Sequence, residues 1–468
     1  MNAKKIAVIG AGPTGLAAAL ALSVLTNVEI TIFDRAADWE QKLEDLADDP
    51  RVFELWPNAV AALEELGVHP KKTEGWDTLE RYDFRSRFGE LLTTLPVGSM
   101  GRRWGLKTFT VSPYRLLSVL AKAIEDQGKI NSPKWTNGED VTVAFPEDPP
   151  KKEGSEDDED QDEGCGEAGG ETDALKGGTA GYGERSRRRP KNGKLEVLVD
   201  GESEGSFDLV VGADGPNSAL RAKHFPGLRW RESRQCAVVG MGQLSNSLVP
   251  TGVGFVAHGS DRRLGAWSPL PVPGTKEWVR WILFAPKALF ERLPQKPDPA
   301  ATRKKRADQE KAYQDALRSN AQEAVNGYGL LLQQLPRQGT NLRKFDLRDL
   351  ELRYDQPWFK RQLVLVGDAA HPSFPDLGQG CALAFEDAVI LRRKLAAWAD
   401  GDGELSDALD AWFEARFDRV REVVEGSYLT HRWAHVDAGQ PDLRDRLIAT
   451  TAGPMMAEQL DHLTKPRV

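Results

Sequence analysis

The chain has 468 residues, of which 40% are hydrophobic and 28% are charged, and its formal net charge at pH 7 is −9. A chain of this length can bury a large core and is expected to divide into two or three domains. The negative charge argues against a general nucleic-acid binder, which needs a basic face.

The cysteines and the apolar runs indicate the compartment. Cys165, Cys236 and Cys381 are widely separated and have no metal-ligand or CxxC spacing, so we expect no metal site. The apolar run Leu16–Leu25 is too short to span a bilayer, and no signal peptide precedes the first predicted strand. We therefore expect a cytoplasmic protein without stable membrane insertion.

The N-terminus has the pattern of a dinucleotide-binding turn. A short β-branched run, Lys5–Ile9, predicts a buried parallel strand and leads directly into Gly10-Ala11-Gly12-Pro13-Thr14-Gly15. The first glycine allows a tight turn, the second lets the backbone approach a pyrophosphate, and the third lets the next helix pack on the strand. The first N–H groups of that helix, predicted over Thr14–Leu25, would face the anion.

A carboxylate follows at the distance that this motif requires. The second predicted strand, Val28–Phe33, ends in Asp34, 19 residues after Gly15. At about this interval a carboxylate accepts hydrogen bonds from a ribose diol. A glycine-rich turn without a ligand is the alternative, and the strand, helix and acid in these places disfavour it.

Residues 149–192 have the composition of a disordered insertion. Residues 153–173 contain eleven acidic residues and no basic one, and residues 185–191 contain five basic residues. Such a segment cannot bury enough apolar surface to offset its ordering entropy. A solvated insertion between two strands is favoured over an acidic interaction segment or a nuclear signal.

A second glycine-bearing segment follows another predicted buried strand, which begins at Phe207. That strand leads into Asp214-Gly215. Ligands bind at the carboxyl ends of strands in open α/β sheets, which makes this loop a candidate ligand contact. Aspartate followed by glycine is also common turn chemistry, so this segment alone does not decide between the two interpretations.

The third segment begins with Gly367-Asp368, after the predicted strand Gln362–Val366, and continues into Gly378-Gln379-Gly380 and a long helix. Backbone donors at that helix start can stabilise negative charge on a flavin ring, and Asp368 is placed to accept from sugar-alcohol hydroxyls. His371, beside a turn proline, is expected to be a hydrogen-bonded structural residue. Together the three segments predict one FAD contacted from three points.

The middle of the chain predicts a mainly antiparallel sheet with one face on the flavin and the other under helices. Its β-rich runs, joined by turn signals, are Cys236–Leu244, Val253–His258, Leu264–Leu270 and Trp278–Phe284. Aromatic residues on these runs are candidate pocket walls, although such residues are more often core; they are Phe255, Trp267, Trp278 and Trp281. We also expect a solvated helix over 300–320 and amphipathic closing helices over 407–426 and 441–463.

With these motifs, the chain resembles the single-component FAD-dependent aromatic hydroxylases, the group of p-hydroxybenzoate hydroxylase and salicylate hydroxylase. The resemblance also covers Pro57-Asn58-Ala59 and Glu414, Arg416 and Arg419. It implies that Asp34 and Arg35 hold the adenosine and that Asp368 binds the ribityl and pyrophosphate region. It further implies that Asp214-Gly215 assists both FAD and the nicotinamide donor, and that Pro375 and Gly378 to Gly380 border the isoalloxazine ring.

The chain departs from the family pattern in three places, the first of which is the segment Leu46–Trp56, which lacks the usual glycine-rich approach to the flavin. In many members an arginine opens the helix that begins here at Ser112 and contacts FAD. Pro113 occupies that place, and Arg115, two residues later, becomes the candidate contact. Ala382 stands where an asparagine is frequent.

The resemblance implies a monooxygenase. NADPH or NADH would reduce FAD, O2 would add to give a flavin hydroperoxide, and one oxygen would pass to an aromatic or polycyclic small molecule. A flavin-dependent halogenase and a non-enzymatic carrier or regulator on the same fold remain alternatives. No side chain is nominated as a catalytic base, and a monomer and a two-fold dimer are both compatible with the sequence.

The expected fold class is α/β, with a Rossmann-like FAD-binding domain, a mainly antiparallel substrate domain and C-terminal helices. The FAD-binding domain is expected over 1–75, 108–148, 193–227 and 351–400, the substrate domain over 76–107 and 228–350, the insertion over 149–192 and the C-terminal helices over 401–468. The candidate cofactor-binding residues are Gly10, Gly12, Pro13, Thr14, Gly15, Asp34, Arg35, Arg115, Asp214, Gly215, Gly367, Asp368, Pro375, Gly378, Gln379 and Gly380.

Overall fold

The structure is a computed structural model, and it describes residues 3–73, 75–146, 193–243, 250–259, 263–267, 278–298, 301–434 and 441–468. The insertion expected over 149–192 lies outside the described residues.

The strands in chain order are β1 (Lys4–Ile9), β2 (Val28–Asp34), β3 (Phe53–Leu55), β4 (Asp77–Thr78), β5 (Arg81–Ser86), β6 (Leu91–Leu95), β7 (Phe109–Val111), β8 (Lys134–Trp135), β9 (Val141–Ala144), β10 (Leu195–Val199), β11 (Glu202–Phe207), β12 (Leu209–Gly212), β13 (Trp230–Gln243), β14 (Val253–His258), β15 (Arg263–Trp267), β16 (Trp278–Pro286), β17 (Thr340–Leu350), β18 (Phe359–Lys360) and β19 (Leu363–Leu365).

The α-helices are α1 (Pro13–Ser23), α2 (Trp39–Ala47), α3 (Pro57–Glu65), α4 (Val97–Met100), α5 (Pro113–Glu125), α6 (Ala219–His224), α7 (Arg303–Ala324), α8 (Leu330–Arg337), α9 (Gly380–Asp400), α10 (Leu405–Ala434), α11 (Pro441–Leu447) and α12 (Gly453–Leu463). A π-helical segment, Ile448–Ala452, joins the last two, and short 3₁₀ turns cover Gly367–Ala369 and Pro375–Leu377.

A six-stranded sheet organises the nucleotide-binding part of the molecule. Its strand order is β18-β19-β12-β1-β2-β8, and its central strands β19, β12, β1 and β2 pair in parallel. All residues of Ile6–Ile9 in β1 are buried, which is typical of a parallel strand covered on both faces. Helix α1 contacts both α5 and α9. This packing explains why Gly15–Ser23 is buried on every side of the helix.

The insertion connects two neighbouring strands. β9 precedes it and β10 follows it, and these two strands pair antiparallel, with Val143 opposite Val197. β11 completes this small sheet. The segment therefore connects two neighbouring strands of one sheet, in agreement with the expected placement between two strands.

A seven-stranded sheet forms the second part of the molecule, in the order β17-β13-β16-β15-β14-β5-β6. Its pairs are antiparallel except β14 with β5, which run parallel. The expected mainly antiparallel sheet is confirmed, and the structure adds one parallel pair to it. The two helices α7 and α8 cover one side of this sheet.

The two sides of this sheet have different neighbours. The helix-covered side contributes buried residues that pack with Tyr313, Leu317 and Leu335 of α7 and α8; among them are Cys236, Val238, Phe255, Leu264, Trp281 and Leu283. The opposite side, here called the inner face, contributes Ala237, Phe284 and Leu347, which pack against Phe374 in the loop before α9. The inner face therefore contacts the nucleotide-binding part.

This division corrects two of the pocket-wall candidates. Phe255 and Trp281 lie on the helix-covered side in a packed core, because strand alternation turns them away from the inner face. The side chains of Trp267 and Trp278 lie outside the described residues.

The helices expected near the C-terminus are present. The segment 407–426 lies within the longer helix α10, and 441–463 contains α11 and α12. The helix expected over 300–320 corresponds to α7, whose few buried residues include Tyr313 and Leu317. In the described ranges we find no helix with the length and apolarity needed to cross a membrane.

Candidate functional site

The three glycine-bearing loops lie side by side at the carboxyl edge of the six-stranded sheet. Ile9 pairs with Gly212, and Gly212 pairs with Leu365, so the strands that precede the loops are adjacent. The N–H of Ala213 donates to the carbonyl of Ile9 at 2.8 Å, and the N–H of Val366 donates to that of Gly212 at 3.0 Å. The sheet register itself brings together segments that are about 200 and 150 residues apart in the chain, as the parallel topology requires.

Contacts between the loops show why glycine is required. Gly10 has φ +105°, and a Cβ there would overlap the carbonyl oxygen of Ala213 in the second loop. A Cβ at Gly367 would lie only 2.7 Å from Cγ2 of Thr14 in the first loop. The first loop therefore contacts both of the others at glycines that leave no room for a side chain.

Asp34 lies beside the first loop, as expected. Its Oδ2 accepts from the N–H of Ala11 at 2.7 Å, and its Oδ1 accepts from the N–H of Ala36 at 3.0 Å and from Nζ of Lys42 at 2.7 Å. Arg35, the next residue in the chain, is exposed to solvent. The carboxylate is thus fixed at the carboxyl end of β2, next to the glycine turn.

Arg221 joins the second loop to the third. This buried guanidinium donates to the carbonyls of Asp368 at 2.9 Å and Ala369 at 2.8 Å, and it also donates to that of Pro216. Its position is set by α6, where Ser218 accepts from the N–H of Arg221 at 2.9 Å as the N-cap. Nothing in the local sequence pattern indicated that the arginine side chain turns towards the third loop.

The third loop is anchored on α9 through Asp387. Its Oδ2 accepts from the N–H of Gly367 at 2.9 Å and from Nε2 of His371 at 2.7 Å, while its Oδ1 accepts from Nε of Arg416 at 2.8 Å. Burial alone would raise the pKa of Asp387, but the neighbouring His371 and Arg416 charges hold that pKa below its ordinary value. His371 is therefore hydrogen-bonded and buried, as expected.

A second buried carboxylate supports the start of α9. Glu386 accepts from Nη1 of Arg416 at 2.8 Å and from Nδ2 of Asn58 at 2.8 Å, and the same Asn58 amide donates to Oε1 of Gln379 at 3.0 Å. Burial would raise the pKa of Glu386, but Arg416 and Arg419 lower it. Asn58, Arg416 and Arg419, which belong to the family resemblance, therefore lie together around Glu386, behind the third loop.

Buried polar atoms without a partner mark the site as one that binds a polar ligand. Within the described part of the chain, no hydrogen bond is made by Trp56 Nε1, Gln379 Nε2 or Asp214 Oδ1. The indole nitrogen of Trp56 lies 2.8 Å from the position that a Cβ of Gly378 would take. Oδ1 of Asp368 lies 4.0 Å from the position that a Cβ of Gly380 would take. Because buried polar groups are normally satisfied, these atoms fit a ligand that offers both donors and acceptors.

This set of groups fits FAD. The glycine turn offers N–H groups to a pyrophosphate, the carboxylates Asp34, Asp214 and Asp368 offer acceptors to hydroxyls, and the start of α9 offers N–H groups beside two unpartnered donors. Burial raises the pKa of Asp368 above its ordinary value, although nearby cationic groups oppose this change. Pro375 begins the 3₁₀ turn that ends at Gly378, whose φ is +61°.

The side chain of Arg115 contacts a loop other than the three glycine-bearing loops. A Cβ at Gly75, in the loop before β4, would be 3.0 Å from its guanidinium, so this side chain packs against that loop. The helix start is as expected, because the Ser112 hydroxyl caps it by accepting from the N–H of Arg115 at 3.2 Å. The flavin contact of Arg115 stays a prediction.

An arginine cluster that sequence reasoning missed joins the seven-stranded sheet to the segment before β3. Asp49, fully buried, accepts from Arg51 at 2.7 Å and from Arg343 at 3.0 Å. Arg280, on the inner face, donates to the carbonyls of Asp49 and Arg51. Charged residues in a loop gave no signal of this role.

Comparisons with known proteins agree with this geometry. The FAD binding domain family matches residues 254–427. The chain is 27% identical over 250 residues to the FAD-dependent monooxygenase spyC of Aspergillus fumigatus, a match that covers 48% of this chain and 48% of that protein. It is 23% identical over 422 residues to the FAD-dependent urate hydroxylase of Mycolicibacterium vanbaalenii, which covers 90% of this chain and 86% of that protein.

The fold is also found in solved structures. Klebsiella pneumoniae HpxO complexed with FAD and uric acid superposes with a TM-score of 0.70 at 20% identity, over 98% of this chain and 96% of that chain. The chain therefore has the fold of the FAD-dependent monooxygenases and is related to them in sequence. The resemblance drawn from the three motifs is confirmed.

Proposed function

We propose that this chain is an FAD-dependent monooxygenase that transfers one oxygen atom of O2 to a small aromatic or heteroaromatic molecule, with NADPH or NADH as the reductant. The observation that carries the proposal is the convergence of three glycine-bearing loops around buried, unpartnered polar atoms. The relatives named as monooxygenases support oxygen transfer. The structure containing uric acid supports a ring compound as substrate.

FAD would be held from three sides of the site. The N–H groups of the Gly10–Gly15 turn, among them those of Gly12 and Thr14, would bind the pyrophosphate. Asp34 would accept from the ribose hydroxyls, with Arg35 beside the adenosine. Asp214-Gly215 and Gly367-Asp368 would hold the ribityl chain. Pro375 and the Gly378–Gly380 segment would border the ring.

The bound FAD would supply the redox chemistry, taking electrons from the nicotinamide donor and activating O2. The protein contributes position and electrostatics. The first N–H groups of α9, in Gly380 and after it, can stabilise negative charge at the flavin ring, since they have no partner within the helix. Arg221 holds the Asp368 backbone in place for this task, and Asp387 holds Gly367.

The inner face of the seven-stranded sheet would exclude water from the reacting groups. Ala237, Phe284 and Leu347 pack there with Phe374, directly before the Pro375 turn. An apolar surface next to the third loop suits a substrate that is a flat ring and lowers the local water content, which oxygen transfer requires.

The proposal is tested by turnover of the reconstituted protein. Purified protein is incubated with FAD, desalted, and assayed for NADPH and NADH oxidation with phenols, indoles, uric acid and polycyclic aromatic compounds. We expect yellow protein, faster oxidation with at least one compound, and a product that gains one atom of isotopically labelled O2. Asp368→Asn should lower FAD retention, while Asp355→Asn, at an exposed aspartate, should not.

Colourless protein that cannot be reconstituted would overturn the proposal and favour a non-enzymatic carrier or regulator. Protein that binds FAD but gives a halogenated product would favour the halogenase alternative.

A further inference from the structure

A small cavity lies beside the third loop, between α6 with the turn after it and the segment 356–360 before β19. Its volume is about 210 Å³. The residues that line it include Arg221, Phe225, Gln356, Trp358, Lys360 and Ala370. No candidate FAD-binding residue is among the described residues that line this cavity, so the FAD site described above leaves it without a role.

The size and the apolar walls of the cavity suit one aromatic ring. Phe225 and Leu228 come from the turn after α6, and Trp358 and Phe359 come from the segment before β19. An apolar cavity of about 150 Å³ is large enough to bind benzene. The present cavity can therefore hold a single ring with a short substituent, and its aromatic walls favour a flat molecule.

The polar groups of the cavity indicate which substituents such a ring would carry. Its charged side chains are Arg221 and Lys360, and among the described residues that line it no side chain is acidic. Lys360 and the next residue, Arg361, lie 5.7 and 5.5 Å from the centre of the Phe145 ring, so two cations are close together here. The side-chain oxygen of Gln356 is buried and has no hydrogen-bond partner in the described part of the chain. These groups favour an acid that also has an O–H or N–H donor.

One wall of the cavity holds the third loop directly. Arg221 donates to the carbonyls of Asp368 at 2.9 Å and Ala369 at 2.8 Å, and the next residue, Ala370, is itself part of the wall. A molecule in the cavity therefore contacts both the loop and the guanidinium that fixes it.

The opposite wall reaches the same loop through Trp358. The centre of its ring lies 4.9 Å from that of His371, and its carbonyl accepts from the N–H of Leu365 at 2.8 Å. His371 donates to Asp387, which also accepts from the N–H of Gly367. The residues on both sides of Asp368 are thus held by groups that belong to the cavity or contact it.

We propose that this cavity is an effector site for a small aromatic acid with an O–H or N–H donor, and that its occupation tightens FAD binding. The inference rests on the FAD site of the proposed function but not on oxygen transfer. A ligand packed against Arg221 and Trp358 stabilises the arrangement of the third loop that these residues hold. Since FAD requires the same arrangement, each of the two ligands raises the affinity of the other.

Calorimetric titration of the holoenzyme with 4-hydroxyphenylacetate tests the site. Leu228→Trp fills the cavity with an indole, and the control Lys311→Gln removes an exposed lysine of α7. We expect a binding event that persists in the control and is lost in Leu228→Trp, with the FAD content unchanged in both variants. Equal binding by wild-type protein and Leu228→Trp would place the compound elsewhere and overturn the proposal, as would the absence of binding to wild-type protein.

Two analogues and two milder variants test the chemistry of the ligand. Phenylacetate lacks the hydroxyl donor, and tyramine carries an ammonium group in place of the acid. We expect phenylacetate to bind wild-type protein about 5-fold more weakly than 4-hydroxyphenylacetate, and Gln356→Leu to bind the two acids alike. Tyramine should also bind more weakly, and Lys360→Gln should reduce that difference. Equal affinity of wild-type protein for all three compounds would overturn the assignment of the ligand class.

The rate of FAD release measures the coupling. The holoenzyme is diluted, and the release of FAD is followed by flavin fluorescence with and without 4-hydroxyphenylacetate. We expect the compound to slow release by about 5-fold or more in wild-type protein and Lys311→Gln, and to have no effect in Leu228→Trp. Binding that leaves the release rate unchanged would overturn the effector role.

Both measurements separate this inference from the proposed function, since neither needs turnover. A holoenzyme that binds the compound and releases FAD more slowly, but oxidises no substrate, would retain the effector site and reject the monooxygenase. An active monooxygenase in which Leu228→Trp changes neither binding nor FAD release would reject the effector site alone.

Discussion

The carboxylate of Asp387 accepts a hydrogen bond from the backbone N–H of Gly367, 20 residues earlier in the chain, at 2.9 Å, which ties α9 to the third loop. The same oxygen accepts from His371, and the other oxygen accepts from Arg416. The loop that carries Asp368 is therefore held in place by a buried ion-pair network, and we expect FAD binding to depend on Asp387 even though this residue need not touch FAD.

Replacing Asp387 should destabilise the protein. Asp387→Ala leaves Arg416 and His371 buried without their carboxylate, which we expect to lower the free energy of unfolding by about 3–5 kcal/mol. Urea denaturation followed by tryptophan fluorescence measures the change. Glu414→Ala removes an exposed carboxylate on the same helix as Arg416 and should have an effect within about 0.5 kcal/mol. Equal effects of the two variants would show that the network does not stabilise the fold.

Substitutions at Gly12 and Gly15 of the first loop should affect different properties. The first should weaken FAD binding, and the second should lower stability. No atom lies within 4 Å of a Cβ placed at Gly12, whose φ is −78°, so Gly12→Ala should fold like wild-type protein. It should nevertheless bind FAD more weakly, because the methyl group would stand where a pyrophosphate approaches. Gly15→Ala would place its Cβ on the carbonyl oxygen of Gly10, and we expect a loss of about 1–3 kcal/mol in stability. Thermal unfolding of the FAD-free proteins and FAD titration measure the two effects. A Gly12→Ala protein with unchanged FAD affinity would argue against a pyrophosphate at this turn.

Asp77 should make stability depend on pH. Burial raises its pKa to about 6 from the ordinary 3.8. A carboxyl group whose pKa is raised in the folded state stabilises the fold fully below its unfolded pKa and loses this contribution as pH rises through about 6. We therefore expect Asp77→Asn to gain about 2 kcal/mol relative to wild-type protein between pH 4 and pH 7.5. Urea denaturation at both pH values provides the comparison, and a difference that is independent of pH would contradict the buried placement of this carboxyl.

The two sides of the seven-stranded sheet should respond differently to mutation. Phe255→Ala removes a fully buried ring under α7 and α8, and we expect a loss of about 3–5 kcal/mol in stability. At a temperature where the variant is folded, its KM for the substrate should stay near the wild-type value. Tyr82→Phe, on the inner face, removes one hydrogen bond and should retain stability within about 1 kcal/mol. A raised KM in Phe255→Ala would instead place that ring near the substrate.

Sequence patterns predicted the elements around the glycine motifs well. The strand Lys5–Ile9, the strand Val28–Phe33 and the strand Val253–His258 agree with the structure to within one residue, because short runs rich in β-branched residues have few alternatives. The side of the sheet to which Phe255 and Trp281 point could not be predicted, since alternation fixes which residues share a side and not what covers that side.

Long-range polar contacts were also beyond local patterns. Arg221, Arg280 and Glu54 acquire their hydrogen-bond partners only when segments distant in sequence come together. Each of them would be assigned to an exposed position by composition alone, because charged side chains are mostly solvated. Their burial depends on partners 28 to 231 positions away in the chain.

The central claim is that three distant loops bind one FAD, and the stoichiometry of bound FAD after reconstitution and gel filtration tests it most directly. The account predicts one FAD per chain in wild-type protein and a marked loss in each of the variants Gly12→Ala, Asp214→Ala and Asp368→Ala, with Asp355→Asn unchanged. Full FAD retention in all three variants, or none in wild-type protein, would contradict it.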